Sequence, residues 1–276
     1  MLNLFAILRN VRDRKKYSNS RIAKAGFTLV ELAIVLVIIA LVAGGVLVGQ
    51  DLIKAAEIRG PMRQAEEFKS ASKTFTLKYN CLAGDCANAT SFLSGTGNGN
   101  GDGAIAGGTY PHGSLEGIYF WQHLALAALI SGTYSTTPVG SVWKEGVNFP
   151  AAKMGGAFGV WNIQTYVGCG GCFFTTQYGN ILMLGKTWPD TSSITPLAKL
   201  LSGNDAFAID TKYDDGLPAY GAITTWNMTG PYGYSGYCVV IKNDPTPWIY
   251  PKNDPVNSEY SKTTTPKCGL FFANAF

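Results

Sequence analysis

The chain has 276 residues, 22 Lys/Arg against 18 Asp/Glu, with 46% hydrophobic and only 14% charged residues. That length supplies a sizeable core for one or two domains, and 33 Gly, 13 Pro and 12% aromatics exclude a plain helical bundle or a disordered chain and favour a loop-rich part with strands. The net charge of +4 is gathered at one end, where Arg9, Arg12, Arg14, Lys15, Lys16, Arg21 and Lys24 face Asp13 alone; the remainder is slightly acidic, which argues against nucleic acid as a partner.

Residues 1–26 read as a basic leader ending in Gly26. An apolar run follows from Phe27 to Gly49. Its roughly 23 residues, at ~1.5 Å each, cover a ~30 Å hydrocarbon core, so residues 27–50 are expected to form a transmembrane half-helix. The positive-inside rule puts the leader in the cytoplasm and the chain after Gln50 on the far side. A secretory signal peptide has a shorter apolar stretch, of about 7–15 residues, ending in a small-residue cleavage site. Glu31 lies within the run. A charged side chain at such a depth costs roughly 2.5–3.5 kcal/mol on insertion scales, so this acid marks a function and needs a partner. Gly44 and Gly45 each weaken a helix by ~1 kcal/mol, and either a local melt or close helix packing fits them.

The string KAGFTLVE at residues 24–31, followed by LAIVLVIIALVAGGVLVG, resembles the leader junction and first helix of type IV pilins and type II secretion pseudopilins. The resemblance implies that a prepilin peptidase cuts between Gly26 and Phe27 and methylates the new amine of Phe27. It implies a structural filament subunit and not an enzyme, anchored in lipid before assembly. Its partners would then be other pilin or pseudopilin subunits and an inner-membrane assembly platform. The subunit would cross the bacterial inner membrane once, N-terminus cytoplasmic and head periplasmic, before joining a periplasmic or surface filament. Glu31 then acquires a partner in physical terms. The freed α-amine has a reference pKa of ~7.7–8.0 and is largely protonated; paired with Glu31 of a neighbouring subunit, it turns two costly buried charges into one neutral site that sets register. The fold implied is α+β and pilin-like: a long N-terminal transmembrane and amphipathic helix packed on a globular head with a small antiparallel sheet and long disulfide-bonded loops.

Residues 51–80 are expected to form the amphipathic half-helix. Ala65, Phe68, Ser72, Phe75 and Tyr79 recur at steps of three or four and define one face. Pro61 is expected to kink or interrupt it. Residues 81–276 form the head, and the segments LAGDCANAT and WQHLALAALISGTY resemble the heads of a longer pilin-like subgroup. A second helix is expected over 115–130, ended by Gly132, with Trp121 and His123 packing inside it. Strands are expected over 158–167, 180–185, 219–225 and 237–242.

The six cysteines, Cys81, Cys86, Cys169, Cys172, Cys238 and Cys268, all follow the span, which fits an oxidising compartment and up to three disulfides. Connectivity is not fixed by the sequence. Two local pairs, Cys81 with Cys86 and Cys169 with Cys172, leave Cys238 with Cys268 as the simplest solution. Cys169 and Cys172 also have the spacing of a redox or zinc half-site. Two segments invite a cation. Asn98, Asn100, Asp102 and Gly103 match the first half of a calcium loop, but Thr109 stands where the closing Glu belongs, and a plain Gly/Asn turn is the simpler reading. Asp210, Asp214 and Asp215 gather three carboxylates that either bind calcium, as in some pseudopilins, or form a solvated acidic turn; Lys212 occupies one ligand place, and no cofactor is required otherwise. Tyr110, Tyr232, Tyr234, Tyr237, Trp248, Tyr250 and Tyr260 either pack beneath the loops, the simpler reading, or form an aromatic loop surface, which leaves an adhesin or DNA-uptake subunit as an alternative function.

Overall fold

The computed structural model describes residues 27–106, 114–140, 142–163, 178–187, 199–225, 238–241, 258–262, 264 and 266–276. Gly26, Cys169, Cys172, Tyr110, Tyr232, Tyr234, Tyr237, Trp248 and Tyr250 lie outside the described residues. The chain divides into two compact units, Met1–Leu52 and Ile53–Phe276.

Helix α1, Leu29–Tyr79, contributes to both. Thr28 and Glu31 begin it as a capping box: the Glu31 N–H donates to Thr28 Oγ1 at 3.2 Å, and the Thr28 N–H donates to Glu31 Oε2 at 2.8 Å. Asn80 ends it in the left-handed region at φ 54°, its N–H donating to the Thr76 carbonyl at 2.8 Å. From Phe27 to Leu52 the large apolar side chains are exposed, among them Leu36, Ile39 and Leu47, and this stretch is long and apolar enough to cross a membrane.

In the second unit one face of α1 is buried through Ile58, Met62, Ala65, Phe68, Ala71, Ser72 and Phe75. This is the predicted face, extended by two turns toward the N-terminus. Of the kink or interruption expected at Pro61 the interruption is absent, and α1 runs through it and through Gly44 and Gly45. Proline deprives the Glu57 carbonyl of its donor and costs ~3 kcal/mol in a helix interior. Burial of Ile58 and Met62 on either side, at ~1.5–3 kcal/mol per side chain, offsets that loss.

Helix α2, Glu116–Leu126, stops short of the expected Ile130. Ala128 turns left-handed at φ 58°, so that the Leu129 N–H reaches the Leu124 carbonyl and the Ala128 N–H reaches the Ala125 carbonyl, a Schellman closure built on alanine. A third helix, α3, Gly203–Tyr213, was not expected. Ser202 caps it by accepting from the Asp205 N–H at 3.1 Å.

The main sheet has four antiparallel strands in the order β1 (Ala157–Asn162), β2 (Asn180–Gly185), β8 (Leu270–Phe272) and β4 (Ile223–Thr225). The C-terminal strand β8 lies between β2 and β4, pairing Leu182 and Ile223 with opposite edges of Phe272. Two short ladders complete the head: β3 (Leu201–Ser202) with β7 (Pro266–Cys268), and β5 (Val239–Ile241) with β6 (Ser258–Tyr260). Phe158, Val160, Leu182, Leu184, Leu270 and Phe272 join the core formed with α1 and α2, while Trp161, Ile181, Met183 and Phe271 form a second cluster. Phe68 of α1 meets Trp121 of α2 and Phe158 of β1 edge-on, with ring centroids 5.0 and 5.2 Å apart. The head is thus α+β, a small antiparallel sheet packed on the long helix.

Disulfides join Cys81 to Cys86 and Cys238 to Cys268. The first closes the turn leaving α1, and the second ties β5 to β7 across 30 residues. A chain loop of that length contributes ~2–4 kcal/mol, chiefly by restricting the unfolded state.

Candidate functional site

Three places among the described residues concentrate polar chemistry. At the start of α1, Glu31 Oε2 accepts from both the backbone N–H and the hydroxyl of Thr28, each at 2.8 Å. Its second oxygen, Oε1, has no hydrogen-bond or ion-pair partner among the described residues. Phe27 lies immediately before this cap and is 84% exposed. The motif T-x-x-E was present in the sequence as a helix-start signal, and the capping role of Glu31 was not read from it. A carboxylate half-used by a cap and half-available, at the head of an exposed apolar helix, is suited to a cation from outside the chain.

The second place is the Gly/Asn loop, where the described side chains bond the backbone as in a plain turn. The backbone N–H groups of Gly101 and Asp102 donate to Asp85 Oδ1 at 2.7 and 3.2 Å, and that of Gly103 donates to Oδ2 at 2.7 Å. Converging N–H groups form an anion cradle, the opposite polarity from a cation loop. The proposed ligands are turned onto the backbone instead: Asn98 accepts from the Thr90 N–H, Asn100 from the Asp102 N–H and Asp102 from the Ala104 N–H. Gly99 is required because a Cβ there would strike the Asp85 backbone. Glu116 accepts from the N–H groups of Asn100 and Ala106 at 3.0 and 2.7 Å. Burial raises its pKa, and those two N–H groups oppose the rise. His123 closes the loop from beneath. Nδ1 accepts from the Gly84 N–H at 2.9 Å, so the proton sits on Nε2, which donates to the Gly97 carbonyl at 3.0 Å. The ring stacks between Phe75 and Tyr119, fully buried, and burial lowers its pKa. Asp85 escaped the sequence reading, since nothing in LAGDC identifies an acid on which a distant loop will wind.

The third place is the C-terminal end of α3. One carboxylate oxygen from each of Asp210, Asp214 and Asp215 lies within 4.8 Å of the others. Asp210 is fully buried. Its Oδ2 accepts from the Tyr260 hydroxyl at 2.9 Å, and the Gly216 N–H also bonds its carboxyl group. Burial pushes Asp210 up to about 7, the Tyr260 hydroxyl works against that, and the charge of Asp215 adds to it. Tyr260 is buried at 4% exposure, in line with the packed reading and not the aromatic surface, because β6 turns its ring inward toward this acid.

Compared with known proteins, residues 21–47 match the family model described as the prokaryotic N-terminal methylation motif. A search of curated proteins and of solved structures returns no match. The matched segment contains the Gly26–Phe27 junction, Thr28, Glu31 and most of the apolar half of α1, so the chain carries the signature of the type IV pilin and pseudopilin family.

Proposed function

We propose that the chain is a precursor of a structural subunit in a type IV pilus or type II secretion pseudopilus. Prepilin peptidase cleaves after Gly26 and methylates the amine of Phe27; the apolar half of α1 holds the subunit in the inner membrane, head periplasmic, until it assembles. The observation that carries this reading is Glu31, with one oxygen held by its own Thr28 and the other without a partner among the described residues, on a helix whose apolar side chains are exposed. In the precursor the nitrogen of Phe27 is an uncharged amide. Cleavage converts it to an ammonium that can pair with Glu31 of a neighbour, so processing creates the assembly contact. The exposed apolar side chains then serve twice, first against lipid and then against the helices of other subunits.

Mass spectrometry of the assembled fraction tests the processing step. The expected mature chain begins at Phe27 and carries one added methyl group. Filament-incorporated chains that retain residues 1–26 would overturn the reading.

A further inference from the structure

We infer that the end of the head nearest Ile53 carries a lipid-contact surface, in which Phe207 of α3 and Leu217 of the turn after it rest in the interfacial layer of the membrane that holds the subunit before assembly. The inference rests on the anchored reading given under the proposed function and adds a second attachment to it.

Contacts along the second half of α1 rank the parts of the head by their distance from Ile53. Furthest away, Tyr79 stacks on Phe92 and Phe75 on His123, with ring centroids 4.5 and 5.8 Å apart. Phe68 meets Trp121 next, and nearer still the Lys153 N–H donates to Gln64 Oε1 at 2.8 Å. The nearest rung is the ion pair of Lys54 with Asp205, in the first turn of α3, at 2.6 Å. Lys54 is four residues beyond Gln50, where the apolar run has ended, so the chain keeps it within about 14 Å of that point. The headgroup layer on each side of the hydrocarbon is itself ~5–7 Å deep. The start of α3 is therefore tethered close to the bilayer surface.

The same end is where the head leaves its apolar side chains uncovered. Beyond Tyr79 seven large apolar or tyrosine side chains are exposed among the described residues, and four of them, Phe207, Tyr213, Leu217 and Tyr220, fall within 14 residues of sequence. Phe207 and Leu217, 49% and 47% exposed, line one hollow of about 380 Å³ together with Gly203, Gly216 and Tyr260. Gly216, left-handed at φ 76°, lets the turn close onto the Phe207 ring: a Cβ there would stand 3.5 Å from Phe207 Cε2 and 2.9 Å from Thr211 Oγ1. The Tyr220 N–H donates to the Leu217 carbonyl at 3.2 Å and draws the tyrosine to the same turn. Apolar and tyrosine side chains with a lysine at the rim suit the layer between hydrocarbon and water, and Lys262 lines this hollow. Glu259 lines it too, and Asp215 precedes Gly216, so the surface carries both signs of charge. Burial of Phe207 and Leu217, and not attraction to anionic lipid, is what would hold it to the membrane.

The test uses the full chain reconstituted in phosphatidylcholine vesicles, with an environment-sensitive fluorophore on one added cysteine at a time. The unmodified chain is the labelling blank, and circular dichroism checks the fold. Quenching is read with lipids spin-labelled near the headgroup or midway along the acyl chain. Leu36→Cys reports the span, Phe207→Cys and Leu217→Cys report the inferred contact, and Leu77→Cys, at a position 88% exposed near the C-terminal end of α1, is the reference in water. Labels at 207 and 217 are expected to lose about half or more of their emission to the headgroup quencher, since interfacial side chains lie ~5–10 Å into the headgroup and acyl boundary. The label at 77 should keep its emission. No acyl-chain quenching at 36 would overturn the anchored reading and the inference with it; quenching at 36 with none at 207 and 217 would overturn the inference alone. Labels at 207 and 217 that escape the lipid quencher and change emission when the subunit is diluted in the vesicle would assign this face to a second copy, and would overturn it as well.

Discussion

The two stretches of α1 place similar residues in opposite circumstances. From Phe27 to Leu52 the large apolar side chains are exposed, and Glu31 has satisfied only one of its oxygens. From Ile58 to Phe75 one stripe is buried against α2 and the sheet, and the acids nearest that core, Asp85 and Glu116, are met by N–H donors from a single loop. The head completes its contacts from within its own chain. The N-terminal stretch is completed only by something else, lipid first and neighbouring helices later under the proposed function. Under the proposed function one helix carries two kinds of information: its C-terminal half specifies a fold, and its N-terminal half specifies an association.

The contrast can be broken most severely at Phe68. Phe68→Ala removes the ring that joins α2 to β1 and should destabilise the head by about 3–5 kcal/mol in a denaturant titration of the full chain in micelles. Leu36→Ala, at an exposed position in the other half, should leave the same titration unchanged. Equal effects at both positions would mean that the two halves do not differ in the way described.

Acid offers a second test through His123. Its ordinary value is 6.5 and burial lowers it, so the unfolded chain takes up the proton first. Stability from this group is complete above about pH 6.5 and falls as pH drops through the depressed folded value. Asp210 and Glu116, both raised by burial, contribute the opposite slope in acid, so the measurement is the difference between the unmodified chain and His123→Gln. The loss on acidification should be smaller in the variant. Identical slopes would show that the imidazole does not hold the loop in its neutral form.

The smallest effect is expected at Ala128, where alanine occupies a left-handed position usually given to glycine. Ala128→Gly should raise the melting temperature, corresponding to a gain of about 0.5–1 kcal/mol. No gain would mean that the α2 closure carries no strain.

Much of this architecture was legible because it rests on periodicity. Ala65, Phe68, Ser72 and Phe75 were readable as one face, and 180–185 as a strand, from spacing alone. The misses came where local signals competed with distant contacts. Pro61 carries a breaker signal that burial of its neighbours overrides. Leu270, Phe271 and Phe272 make too short an apolar run to announce the strand joining β2 to β4, since its position depends on two partners far away in the chain. α3 was readable in principle from Ser202 and Asp205, but Asp210, Asp214 and Asp215 drew the reading toward an acidic turn. At the candidate sites, Glu31 stood out as one charge in an apolar run, and the three aspartates stood out by proximity in sequence. The burial of Asp210 and its bond to Tyr260 did not, because 50 residues separate the pair.

Glu31→Gln tests the central claim most directly, because glutamine retains the capping box with Thr28 while removing the charge. After cleavage is verified by mass spectrometry, the fraction of the variant in sheared or purified filaments is compared with that of the unmodified subunit. The charge-pair account predicts a normally cleaved, membrane-retained subunit with incorporation reduced at least about tenfold, the equivalent of about 1.4 kcal/mol or more for an unpaired buried amine. Normal incorporation of Glu31→Gln would contradict it and leave the acid as a helix cap alone.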